Sequence, residues 1–335
     1  MRNIIETQTD LIKRTCHNRK NMKLTIGVLS EGKTDIRVFG ESGGRIADEN
    51  YIYEIGSVTK TFTASLLAKH LAEGRLSLDD RISAYIPGLE DGNYYPTLRR
   101  LATHTSGYAA RYPLGTWEFL MFTKDTFLGG PAQKINPLDM DDERMTELMK
   151  ATGLTDRDYK WNYSNFGFAL LGLAVGAVGG ESYWQAMNRF VNAELGLKHT
   201  SLGTSAANLH GFSAGNEDCG NWLWNDRCMI SPSSALSSTA ADLLDYAALN
   251  LNGELPYLSL AHQKYSGAGK NHDMGLGWWL PKTEHKVISH TGGTGCFSTF
   301  LAVDQTKGAA VTVLSNYQLG LDSGKRIGNA LLDLI

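Results

Sequence analysis

The sequence predicts an α/β (α+β) fold. An antiparallel sheet is built from both ends of the chain, flanked by terminal helices, and a mainly helical lobe is inserted between its halves. Three features of the 335 residues carry this expectation. β-type runs occupy residues 23–29 and 35–39, and four more come after residue 270. Between these groups, apolar residues recur at helical spacing.

In chain order, Ile4, Ile5, Leu11 and Ile12 give residues 3–15 a modest amphipathic helix. Strands at 23–29 and 35–39 read as a hairpin about the turn Glu31-Gly32-Lys33. After a Gly-rich connection, a helix opens at Ser57. It carries Val58, Phe62, Leu66, Leu67 and Leu71 on one stripe and ends near Gly74. From Leu76 to about Gly253 the pattern is mainly helical. Pro87, Pro96, Pro113, Pro131 and Pro137 make its first part irregular, and helices are expected at 142–151, 165–178, 182–194 and 239–251. Strands return at 275–280, 286–290, 298–303 and 309–314, with a hairpin turn at 304–308, and a helix closes the chain over 320–335. One catalytic domain, 1–335, is therefore expected. Its sheet lobe takes about 1–75 and 254–335, its helical lobe about 76–253, and the cleft between them is the natural place for a site.

Composition narrows the function. Hydrophobic residues make up 42% and charged residues 20%, as in an ordinary globular protein. A net charge of −3 argues against nucleic acid or an anionic membrane as partner. No run approaches 18 apolar residues, so no membrane span is expected. Residues 1–23 are polar and charged, without the apolar core of a signal peptide. The sequence as it stands reads as cytoplasmic, or as periplasmic or secreted if an export signal has been removed. Of the four cysteines, Cys16, Cys219, Cys228 and Cys296, the pair Cys219 and Cys228 could close a small loop, but reduced thiols fit the missing signal better. The nine histidines show no metal-ligand spacing, so neither a metal nor another cofactor is expected.

The chemistry centres on Ser57 and Lys60. Residues at i and i+3 share a helix face, so the serine hydroxyl and the lysine amine can meet. A desolvated lysine is one group able to take a serine's proton. The Ser-x-x-Lys pattern alone is weak, because Ser30 and Lys33 repeat it in the hairpin turn. Two further stretches supply context. Tyr163-Ser164-Asn165 precedes an apolar helix; by itself it reads as a helix N-cap beside a packed aromatic. Beside a lysine, Tyr163 can act as a general base and Asn165 can hold a substrate carbonyl. Moving a tyrosine from about 10 to near 7 takes roughly 4 kcal/mol, within reach of one close, partly desolvated cation. His290-Thr291-Gly292-Gly293 ends a predicted strand, where glycines permit close approach of a ligand and an N–H can face an oxyanion.

The order Ser-x-x-Lys, Tyr-x-Asn, His-Thr-Gly resembles the serine β-lactamase and penicillin-binding superfamily. Within it, the pattern is nearest the branch of class C β-lactamases and D-alanyl-D-alanine carboxypeptidases. Residues 76–80, 101–107, 236–244 and 296–316 look like the family as well. The resemblance implies the β-lactamase/transpeptidase fold and an acyl-enzyme at Ser57, with Lys60 and Tyr163 sharing the proton traffic. It implies that Asn165 binds the substrate amide and that the backbone N–H groups of Ser57 and Gly293 form the oxyanion hole. His290, Thr291 and Gly292 would contact the substrate, and His104 would be structural. Two departures, His290 in place of a lysine and Ser164 in place of an alanine, look more like the D-peptidases, D-amino-acid amidases and related esterases. A histidine is only partly charged near neutrality, so efficient β-lactamase action is not expected.

Other readings are weaker. Gly40-Glu41-Ser42-Gly43-Gly44 matches a nucleophile elbow, but residues 43–50 make a poor helix start. A non-catalytic module binding penicillins or D-peptides would not require a nucleophile with its base. Trp222, Trp224, Trp278 and Trp279 offer aromatic surface, more often core than site. The expected activity is hydrolysis of a D-alanyl-D-alanine peptide or D-amino-acid amide through Ser57, with a class C-like β-lactamase or a carboxylesterase as the alternative. The expected partners are small-molecule or short-peptide substrates, with β-lactams as possible acylating ligands.

Overall fold

The computed structural model describes residues 4–48, 50–89, 92–108, 142–203, 209–219, 224, 228 and 230–335. Pro113, Pro131, Pro137 and Trp222 lie outside the described residues. A short 3-10 turn leads into α1 (Thr9–Cys16), followed by β1 (Leu24–Ser30) and β2 (Lys33–Phe39). After β3 (Tyr53–Glu54), a 3-10 turn at Gly56–Val58 runs into α2 (Thr59–Ala72). The helical part holds α3 (Leu98–Ala102), α4 (Asp142–Ala151), α5 (Asn165–Gly179) and α6 (Tyr183–Arg189), the last continuing as a π turn to Glu194. Then come β4 (Ser201–Leu202), the short α7 (Ser231–Ser234), β5 (Leu236–Ser238) and α8 (Ala240–Asn252). The chain closes with β6 (Ser266–Gly267), β7 (His272–Met274), β8 (Trp279–Pro281), β9 (Val287–Thr294), β10 (Phe297–Asp304), β11 (Ala309–Ser315) and α9 (Leu321–Leu332).

The main sheet has eight strands in the order β2-β1-β11-β10-β9-β8-β7-β6, paired antiparallel, so strands from both ends of the chain do join. Its centre is covered on both faces. Ile26, Val28, Phe300, Val311 and Val313 face the N-terminal 3-10 turn, α1 and α9 through Ile5, Ile12, Ile327 and Leu331. Leu301, Val303, Ala310 and Leu314 face the opposite way, towards Leu243 and Leu244 of α8 and Phe62 of α2. The alternation follows the two-residue period of a strand, and a sheet packed on both sides reads as unbroken apolar runs.

Four expectations need correction. α2 is buried nearly all round, from Thr59 through Ala68, rather than along one stripe. Hydroxyls on its extra faces are satisfied inside: Thr61 donates to Val58 O and Ser65 pairs with Tyr246 at 2.7 Å. The strand expected at 275–280 is split, because Gly275 N–H donates to Trp278 O at 2.8 Å and closes a turn between β7 and β8. β9 runs on through Thr294, so His290-Thr291-Gly292-Gly293 lies within a strand, paired with β10 from Leu301 to Ser298. Finally, Cys219 is bonded to Cys296 rather than to Cys228 or left reduced, with Cα atoms 6.2 Å apart. Cys296 sits in the β9–β10 turn against Gly211. The 211–219 segment is held there by Phe212 N–H donating to Asn316 O and Cys219 N–H donating to Gly211 O. Cys16 and Cys228 are buried outside that bond.

Candidate active site

The site begins with a backbone contact that glycine makes possible. Gly56 has φ +51°, and a Cβ on it would stand 2.6 Å from Gly293 N. A Cβ on Gly292 would stand 1.9 Å from Ile55 O and 3.3 Å from Ser57 N. Strand β9 therefore packs main chain to main chain against the turn carrying Ser57, and places Gly293 beside it. Ser57 itself is half-buried, at the foot of α2.

One turn on, Lys60 is fully buried. Its Nζ lies 2.8 Å from Asn165 Oδ1, 2.9 Å from Ser233 O and 3.2 Å from Ser57 Oγ. No carboxylate contacts it among the described residues, and burial drives its pKa well below the ordinary lysine value. The first two partners can only accept. In a neutral amine they engage both N–H groups, which leaves the lone pair facing Ser57 Oγ. That is the geometry of a base beside a nucleophile. Ser233, on α7, was missed at the sequence level, because a main-chain carbonyl carries no residue-type signal.

Tyr163 and Asn165 arrive together at the start of α5. Ser164 caps that helix by accepting from Gly167 N–H at 3.0 Å. Tyr163 hydrogen-bonds Ser57, and its ring lies 4.8 Å from Lys60 Nζ. Its pKa is raised, not lowered as expected, because burial disfavours the phenolate more than the bond to Ser57 favours it. The lysine meant to lower it is itself held towards neutrality. Burial thus favours the neutral amine of Lys60 and the neutral hydroxyl of Tyr163.

His290 lies within β9, 1% exposed. Its Nδ1–H donates to Thr291 O at 2.6 Å, so Nε2 carries the lone pair, with no partner among the described residues. Burial first, then the field of Lys60, pushes its pKa down to about 3 against the opposing bond to Thr291. It is neutral near pH 7 rather than partly charged. Thr291 is half-buried and Gly293 exposed. Trp278 and Trp224 are core, and Trp278 stacks on Tyr246. Trp279, half-buried, packs against Trp161 at 5.0 Å, and Trp161 meets His104 edge-on.

The structure thus brings Ser57, Lys60, Tyr163, Asn165 and the His290–Gly293 strand to one place between the sheet and the helices. Fold and family together define a serine hydrolase. The chain belongs to the Beta-lactamase family, whose sequence model matches residues 24–333. It is 24% identical over 340 residues to a "Beta-lactamase" of Pseudomonas fluorescens, covering 88% of each chain. It is 27% identical over 283 residues to "Protein flp" of Staphylococcus aureus, covering 79% of this chain and 52% of that protein, so it spans about half of that relative. A solved D-alanine carboxypeptidase from Burkholderia cenocepacia superposes with a TM-score of 0.75 at 22% identity, over 100% of this chain and 99% of that one; this likeness carries the fold. Among the described residues, no single helix is long and apolar enough to cross a membrane.

Proposed function

We propose that the protein hydrolyses a D-amino-acid amide or a D-alanyl-D-alanine-type peptide through an acyl-enzyme on Ser57. The observation that carries the acyl-enzyme is the fully buried Lys60 amine, held 2.8 Å from Asn165 Oδ1 and 2.9 Å from Ser233 O, with its Nζ 3.2 Å from Ser57 Oγ. Ser57 Oγ attacks the substrate carbonyl as its proton passes to Lys60 Nζ. The negative charge developing on the carbonyl oxygen is met by the backbone N–H groups of Ser57 and Gly293. The Tyr163 hydroxyl, in contact with Ser57, gives its proton to the departing amine and regains one from the Lys60 ammonium, which leaves Lys60 neutral. Water then attacks the ester carbonyl as its proton passes to Lys60 Nζ, and Lys60 returns that proton to Ser57 Oγ as the acid departs. Asn165 Oδ1 is occupied by Lys60, which leaves Nδ2 to donate to a substrate amide oxygen. Thr291 and Gly292 line the strand along which the substrate lies.

The choice of substrate rests on His290. A neutral imidazole offers no permanent cation for a substrate carboxylate, and this favours D-amino-acid amides and esters, which carry none, over D-alanyl-D-alanine peptides and typical β-lactams, which do. β-Lactams remain acylating ligands, since their ring amide presents the same carbonyl. The second reading, a class C-like β-lactamase, is favoured by the Pseudomonas fluorescens relative's name and its coverage. The Cys219–Cys296 bond supports an oxidising compartment, periplasmic or extracellular, for this activity. Nitrocefin, a D-Ala-D-Ala peptide, a D-amino-acid amide and p-nitrophenyl acetate, assayed side by side on the wild type and Ser57→Ala, test the proposal. Turnover of the D-amide or D-peptide above nitrocefin, absent in Ser57→Ala, is expected. Nitrocefin as the best substrate would install the second reading, and turnover surviving in Ser57→Ala would end both.

A further inference from the structure

His104 is buried, yet it has no part in the proton transfers above. It is a non-glycine residue at φ +60°, a conformation few side chains adopt without compensation. That backbone turns two acceptors towards one segment. His104 O accepts from Asn162 N–H at 2.9 Å, and His104 Nδ1 accepts from Ser164 N–H at 3.0 Å. These are the two residues that bracket Tyr163. A third bond, Tyr159 N–H to Thr105 O at 3.2 Å, ties down the start of the same segment. The imidazole lies 4.5 Å from the Tyr163 ring, centroid to centroid, with Phe168 at 5.1 Å on another side. Because Nδ1 accepts, the ring proton of the neutral imidazole is on Nε2, a buried atom without a partner among the described residues. Burial and the neighbouring Lys60 and His290 disfavour a second proton.

We infer that His104 is a positioning residue for Tyr163: its carbonyl and its Nδ1 clamp the chain on either side of the tyrosine, and so fix the phenol against Ser57. The inference rests on the proposed role of Tyr163 and adds to it the element that sets its geometry. Asparagine is the informative replacement, since it tolerates left-handed φ and its Oδ1 can accept where Nδ1 does. Alanine does neither, and glycine only the first.

The test is the single-turnover acylation rate with p-nitrophenyl acetate for H104A, H104G, H104N, Y163F, H104A/Y163F and S57A. H104A is expected to slow acylation by about ten- to a hundredfold with KM within about threefold, as a misplaced catalytic group does. H104N is expected to recover most of that loss. In the Y163F background H104A should cost nothing more, because the clamp then has no hydroxyl to place. Three results would each overturn the inference: wild-type acylation by H104A, acylation by H104N as slow as by H104A, or an equal further loss in the Y163F background. If H104A does not fold, H104G against H104N makes the same comparison. Acylation surviving in S57A would instead strike the proposed function, and Y163F at full rate would remove the tyrosine's role and the clamp together.

Discussion

The molecule contains the same four-residue pattern twice, and the two copies behave as different chemistry. Ser30 and Lys33 face each other as a cross-strand pair at the β1–β2 turn, and Ser57 and Lys60 share a helix face. Proximity is therefore common to both. Solvent is what differs. Lys33 is exposed, whereas Lys60 is fully buried, hydrogen-bonded to two acceptors, and without a carboxylate contact among the described residues. A lysine becomes a base when burial makes its charged form costly, not when a serine happens to be near.

Substitution at both copies is the strongest way to break this contrast. Ser57→Ala should lower kcat by about 10⁶, the scale seen when a nucleophile is removed, while Ser30→Ala leaves it unchanged. A fluorophosphonate probe read by intact-protein mass checks both in one experiment. Next, Lys60→Ala and Tyr163→Phe should each cost about 10²–10⁴ in kcat, with Lys33→Ala silent. A somewhat smaller loss, about 10²–10³, is expected for Gly292→Ala, whose Cβ has no room beside Ile55 O and would push β9 and Gly293 off the Ser57 turn. If Gly292→Ala keeps its rate with the fold intact by circular dichroism, Gly293 is no oxyanion donor.

Two pH experiments sharpen the contrast further. The base form of Lys60 exists above its lowered pKa, so kcat/KM should rise with pH through that value and then level off. His290 stays neutral down to about pH 3 and adds no limb between pH 5 and 8. Its effect falls on stability instead. Below pH 6.5 the unfolded chain protonates this histidine and the folded chain does not, so stability is lost as pH falls from 6.5 towards 3, by at most about 1.4 kcal/mol per pH unit. Thermal melts at pH 7, 6, 5 and 4 should show a shallower decline in His290→Asn than in the wild type.

Much of the site was legible as spacing. Ser57 with Lys60, Tyr163 with Asn165, and His290 with Gly293 are local patterns, and each local pattern does its local work: an i, i+3 pair, a capped helix start, a stretch of strand with no side chains in the way. The sheet was legible for the same reason, since alternation and β-branched runs are properties of single strands. Where the reading failed, the missing information was not carried by the spacing of residue types. The turn between Gly275 and Trp278 depends on a main-chain bond, and the pairing of Cys219 with Cys296 depends on a segment 77 residues away being tied to the end of β11.

The sequence by itself determined which groups can react, because hydroxyl, amine and phenol are fixed by residue type and their neighbours by spacing. Only the tertiary structure decided which of them holds the proton. Burial of Lys60 against Asn165 and Ser233 O favours its neutral amine, and burial of Tyr163 and His290 keeps the phenol protonated and the imidazole neutral. A pKa is set by solvation and by charges brought close in space, and neither is a property of neighbouring letters in a chain.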